Sequence, residues 1–190
     1  MITRHPLAGE LADCHEECGV VGLLGVPEAA VSAYMALHAL QHRGQESAGL
    51  AAADAGTFVV HRGLGLVSDV ITSDVLRKLP GSLAVGHNRY STTGSTCIEN
   101  AQPFVVNCRI GPVAVAHNGN LVNAGELRLG LEREGAVFLT SSDSEVIVQM
   151  LARSHADDLP DMLAEVAASL RGAYTLVLAT PDMLIGIRDP

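Results

Sequence analysis

Tryptophan is absent, and aromatic residues make up 3 % of the 190-residue chain. Any core must therefore be built from Ala, Val, Leu and Ile, and 19 glycines imply many turns and close backbone approaches. Basic residues are also scarce: 12 Lys and Arg face 21 Asp and Glu, for a net charge of −9, and they are scattered rather than striped. That balance excludes a nucleic-acid binder, which needs clustered cations. No apolar run reaches the ~18 residues of a membrane span, and the N-terminus has no charged-then-apolar signal pattern. A cytoplasmic residence is expected. Four cysteines are too few for a disulfide-stapled secreted scaffold. Cys14-His15-x-x-Cys18 supplies half of a zinc site, but Cys97 and Cys108 do not supply the other half, so no metal is expected in this segment. What remains, 48 % hydrophobic and 17 % charged, suits one globular domain with a sizeable core.

The chain is organised around Cys18-Gly19-Val20-Val21-Gly22, a cysteine followed by a glycine-punctuated apolar run that reads as a buried strand. A thiol attacks only as thiolate, and with a free pKa of about 8.5 it needs a base or a cationic neighbour. Removal of the residues before Cys18 would free its own α-amino group, with a reference pKa of about 7.7 to 8.0, to take the proton. Taken alone, Cys18 reads better as a small buried hydrophobe at the start of a core strand. Residues 1–17 mix Pro6, Gly9 and an acidic end at Asp13, Glu16 and Glu17 without a sustained period, and read as an exposed leader. Cys14 lacks a following Gly-Val run and reads as a bystander.

Further along, Val31, Met35, Leu37 and Leu40 recur at helical intervals between Glu28 and His42, with Pro27 at the entry and Gly44 as the terminating glycine. Residues 49–53 and 57–61 flank Asp54-Ala55-Gly56 and predict a hairpin. Residues 82–87 and 113–117 read as strands, each delivering a polar cluster at its end. A helix is expected over 124–134, closed by Gly135. Ser142-x-x-Glu145 predicts a capping box that opens a second helix with Asp143 in its first turn. A third helix spans 159–170, and strands cover 173–179 and 184–187. This pattern predicts an α+β fold with a largely antiparallel sheet.

Six motifs occur in order: the Cys18 run, Gln41-His42-Arg43-Gly44-Gln45-Glu46-Ser47-Ala48-Gly49, Gly86-His87-Asn88-Arg89-Tyr90-Ser91-Thr92, Glu99-Asn100-Ala101-Gln102-Pro103, His117-Asn118-Gly119-Asn120-Leu121 and Ser141-Ser142-Asp143-Ser144-Glu145. From Cys18 to the C-terminus the chain resembles the glutaminase domain of the glutamine phosphoribosylpyrophosphate amidotransferase family, among the N-terminal-nucleophile hydrolases (class II glutamine amidotransferases). The resemblance implies a four-layer αββα sandwich and a leader cut between Glu17 and Cys18. It implies Cys18 as nucleophile, with the Asn118 amide and the Gly119 N–H as oxyanion donors, although Asn-Gly as a bare dipeptide reads as a turn. Arg89 would take the glutamine α-carboxylate and Asp143 its α-ammonium; their plainer readings are a surface ion pair and a helix-dipole carboxylate. Thr92 and Thr93 would add backbone contacts, and Arg43, otherwise a helix C-terminal cation, would hold the nucleophile's end of the site. No Gly-x-Cys-x-Gly elbow surrounds any cysteine, so His38, His42, His87 and His117 read as structural.

Family members commonly carry an aromatic at Val21 and tryptophans near Leu24 and at Ile98, which this chain lacks. It also lacks the acidic pair of a phosphoribosyl pyrophosphate motif. The resemblance implies that the full-length enzyme adds a phosphoribosyltransferase domain as ammonia acceptor, Mg2+, an iron–sulfur cluster in some members, and homo-oligomerisation. Expected here is the glutaminase module alone, with glutamine as substrate. Two rivals stay open: the glutaminase of another class II amidotransferase, such as glucosamine-phosphate synthase, and an unprocessed, non-catalytic glutamine-binding domain.

Overall fold

The structure, a computed structural model, describes residues 18–90 and 97–189. Eight strands form two antiparallel sheets. The first holds β1 (Gly19–Leu24), β2 (Ser47–Asp54), β3 (Thr57–Leu64) and β4 (Leu83–Arg89) in the order β1-β4-β2-β3. The second holds β5 (Phe104–Cys108), β6 (Gly111–Leu121), β7 (Gly172–Thr180) and β8 (Met183–Arg188), in sequence order. Helices α1 (Ala29–Ala39), α2 (Val67–Val70) and α3 (Ser73–Leu76) accompany the first sheet; α4 (Ala124–Arg133), α5 (Ser144–Arg153) and α6 (Leu159–Ala167) accompany the second. The expected αββα layering is present. None of the described helices is long and apolar enough to cross a membrane.

Strand periodicity explains why β2 and β6 read as continuous apolar runs rather than alternating ones. Along β2, Ala48, Leu50 and Ala52 pack under α1 and α2, while Ala51 and Ala53 face the second sheet. Along β6, Val113 and Val115 meet α5 and α6, while Ala114 and Ala116 face the first sheet. Both faces are covered, so each position is apolar. The seam between the sheets is largely alanine, as an aromatic-poor chain requires.

Several sequence expectations need correction. The buried face of α1 is Ala29, Ala30, Ala33 and Leu37, whereas Val31 is 39 % and Met35 63 % exposed. The helix lies so close to the sheet that a Cβ on Gly86 would meet Leu37 at 2.9 Å, and alanines make up the rest of its buried face. Gly44 does not cap α1: a 3-10 turn over Gln41–Arg43 follows the helix, and Gly44 is extended at φ −164°. Its missing side chain admits the backbone of Arg89, whose carbonyl carbon lies 2.6 Å from where a Cβ would be. The capping box does not close. Glu145 instead accepts from the amides of Leu139 (2.8 Å) and Thr140 (2.7 Å), tying the preceding loop to α5. Strand β5 and the short α2 and α3 were not anticipated.

Candidate active site

Antiparallel pairing of Gly19 with Asn88 brings Cys18 beside the end of β4. Alternation along β4 turns Asn88 toward the α1 side, where its Nδ2 donates to the carbonyls of Leu40 (2.8 Å) and Gly44 (3.2 Å). His87 and Arg89 therefore face the second sheet. Across the seam, β6 delivers His117 to Gly119, and the N-terminus of α5 delivers Ser142 to Ser144. One small polar cavity, about 20 Å³, is walled by Cys18, Arg89, Tyr90, Gln102, His117, Gly119, Ser142, Asp143 and Ser144.

The Cys18 thiol lies 3.4 Å from the Tyr90 carbonyl and accepts from the Tyr90 N–H at 3.3 Å. Burial pushes this thiol up; the Tyr90 bond and the Arg89 charge pull the other way without cancelling it. Arg43 donates from Nε to the Cys18 carbonyl at 3.3 Å, so it grips the Cys18 backbone from outside the cavity. The buried Arg89 lies 3.7 Å from the Glu46 carboxylate. Gly119, at φ +148°, could not carry a side chain: a Cβ would sit 2.1 Å from the Ala173 carbonyl oxygen. Asp143 Oδ2 accepts from the Leu121 N–H at 3.0 Å.

Of the residues singled out in the sequence, Cys18, Arg89, Gly119 and Asp143 therefore share one cavity. Asn118 precedes Gly119 on β6 but does not wall the cavity; its neighbour in the chain does. Thr92 and Thr93 lie outside the described residues. His117 and Gln102 were not read as site residues, nor were Ser142, Ser144 and Tyr90, although all five lie inside the six motifs. Among the described residues no group of three or more His, Cys, Asp and Glu is placed to hold a metal ion.

His87 and His38 do fit the structural reading, one buried and one exposed on α1. His87 donates from Nε2 to the His117 carbonyl at 3.1 Å, and its Nδ1 is buried without a partner. Burial lowers it to about 3, with His117 and Arg89 adding to the fall. The unfolded chain, at about 6.5, thus takes up a proton that the fold refuses. Stability from this group is complete above pH 6.5 and drains away as pH falls toward 3. In urea titrations between pH 7.5 and 4.5, His87→Gln is expected to flatten the acid loss by up to about 1.4 kcal/mol per pH unit. His117, also depressed by burial, contributes to the same slope and limits the flattening.

A cysteine at the head of β1, beside a strand-end arginine and a glycine N–H inside an αββα sandwich, is the arrangement expected of the N-terminal-nucleophile glutaminases. The family described as Glutamine amidotransferase domain matches residues 87–190, and the chain belongs to it. Its relatives include amidophosphoribosyltransferase 3, chloroplastic, of Arabidopsis thaliana, 50 % identical over 93 % of this chain and 33 % of that protein. The amidophosphoribosyltransferase of Staphylococcus aureus is 45 % identical over 93 % of this chain and 36 % of its own length. Among solved structures, glutamine phosphoribosylpyrophosphate amidotransferase from B. subtilis, complexed with ADP and GMP, superposes with a TM-score of 0.83 at 41 % identity, covering 90 % of this chain and 37 % of that one. The chain thus spans about a third of the length of the relatives it matches.

Proposed function

We propose that this domain hydrolyses glutamine through a Cys18 thioester and supplies the ammonia for phosphoribosylamine formation from phosphoribosyl pyrophosphate, in purine synthesis. The observation that carries it is the convergence of Cys18, Arg89, Gly119 and Asp143, from four distant segments, on one polar cavity. With residues 1–17 removed, the Cys18 amine accepts the thiol proton and the sulfur attacks the side-chain amide carbon. The Gly119 N–H and the Asn118 amide receive the oxyanion, and Arg89 and Asp143 hold the α-carboxylate and α-ammonium. The amine then protonates the departing ammonia, and water cleaves the thioester to glutamate.

The acceptor reaction belongs to the part of the relatives that this chain does not span. The family resemblance implies Mg2+, an iron–sulfur cluster in some members and homo-oligomerisation for the full-length enzyme. A free thiol nucleophile suits a reducing, cytoplasmic setting. The test is glutamate release from glutamine: Asn118→Ala is expected to lower kcat by a factor of about 10²–10³ with little change in KM. Rates within tenfold of the parent would remove Asn118 from the oxyanion role. Absence of glutamate release by the processed parent would remove the glutaminase reading itself.

A further inference from the structure

Behind Asp143 lies a buried hydrogen-bond network that the reaction as written does not use. Gln102, His117 and Ser144 are 4 %, 2 % and 1 % exposed, so each polar atom must find its partner inside the protein. Gln102 clamps β6 through its amide: Oε1 accepts from the His117 N–H at 2.8 Å, and Nε2 reaches the His117 carbonyl at 3.4 Å. The same Nε2 donates to Ser144 Oγ at 3.1 Å. His117 Nδ1 lies 2.8 Å from that hydroxyl, and Ser144 Oγ lies 3.5 Å from Asp143 Oδ1.

The direction of these bonds follows from what each atom lacks. Had Ser144 donated to a bare Nδ1, the imidazole proton would sit on Nε2, which is buried without a partner among the described residues. An orphaned buried N–H is costly, whereas a bare ring nitrogen is less so. With the proton on Nδ1, His117 donates to Ser144 Oγ, Gln102 fills its other lone pair, and the hydroxyl hydrogen has one place left to go. It points to Asp143 Oδ1. Leu121 N–H holds the other oxygen at 3.0 Å.

We propose that Ser144, turned by Gln102 and His117, is a positioning residue that fixes the Asp143 carboxylate and thereby sets the domain's preference for amides bearing an α-ammonium. The inference rests on Asp143 being the ammonium-binding group of the proposed glutamine site. Asp143 is joined to the cavity through a flexible two-bond side chain, and a carboxylate rotated away from the cleft loses a cation it could otherwise hold directly. Two fixed oxygens leave one orientation.

The test compares two alkylating amide mimics on the purified protein, with the modified residue located by peptide mass spectrometry. One is 6-diazo-5-oxo-L-norleucine; the other, 6-diazo-5-oxohexanoate, differs only in lacking the α-ammonium. In both, the thiol proton passes to the diazo carbon, N2 leaves and a C–S bond forms, so the ratio of the two rate constants isolates the ammonium contribution. Ser144→Ala is expected to lower that ratio at least about tenfold, and Ser144→Thr, which keeps the hydroxyl, to restore most of it. Gln102→Met removes the amide that turns the hydroxyl and gives an independent variant with the same expected direction. In an Asp143→Asn background, Ser144→Ala is expected to change the ratio by less than about twofold, because the hydroxyl acts through the carboxylate. A parent that prefers the ammonium-bearing probe, with an unchanged ratio in both single variants, overturns the role of Ser144 alone. A parent in which neither probe labels Cys18 overturns the glutamine site and this inference with it.

Discussion

Cys18→Ala is expected to bring glutamate release to background, a loss on the order of 10³-fold or more, because the covalent route disappears with the thiol. Neither of the other described cysteines can stand in: Cys97 and Cys108 do not wall the cavity, and Cys108 sits on the edge strand β5. The same geometry says why the proposed route draws on the cysteine's own amine. Burial holds Cys18 protonated, and the Tyr90 N–H and Arg89 only soften that effect. The imidazoles of the seam are poor proton acceptors: burial lowers both, His87 to about 3 and His117 in the same direction. A free α-amino group on Cys18 is the one base that maturation could add. Intact mass should be read on the same samples: processed parent lacks Met1–Glu17, and full-length parent should show no more turnover than Cys18→Ala. Cys18→Ala retaining over a tenth of parental activity would place the nucleophile elsewhere.

The sequence displayed the elements whose signals are local. The β2–β3 hairpin, α4 closed by Gly135, α6 and the β7–β8 pair all stand close to their expected bounds. It misled where a residue's duty is set by a partner far along the chain. Met35 follows the helical period but faces outward, since the sheet beneath α1 approaches too near for it. Gly44 looked like a helix terminator and is instead a gap for the backbone of β4. Glu145 stands three residues after Ser142, yet its carboxylate is drawn to a loop in front of the helix rather than to the cap. The site divides along the same line. Cys18, Arg89, Gly119 and Asp143 came from motif order, but nothing local marks Gln102 as a clamp across β6 or Ser144 as a link between His117 and Asp143. Those duties exist only once β6 and α5 have met.

Gly119→Ala is expected to be among the most damaging single methyl additions in the domain. The position combines two penalties that usually occur apart. Its φ of +148° is strained for any L side chain, and its Cβ would lie 2.1 Å from the Ala173 oxygen and 2.7 Å from the Tyr174 Cα. Both obstructing atoms are backbone of β7, paired with β6 in register from Leu121↔Gly172 to Ala114↔Ala179, so relief requires opening the central ladder of the second sheet. A stability loss of about 3 kcal/mol or more is expected, read as a urea midpoint shift at constant m-value. Activity should fall further than stability, because opening the ladder also re-aims the N–H assigned to the oxyanion; kcat at a temperature where the variant stays folded is expected to drop by about 10²–10³. Gly135→Ala separates the two penalties. Its φ is +86° with nothing within 4 Å of the added Cβ, so it carries the strain without the collision. It should cost about 1 kcal/mol and leave glutamate release unchanged. Equal effects from the two substitutions would mean that positive φ alone, rather than contact with β7, dictates glycine beside Cys18.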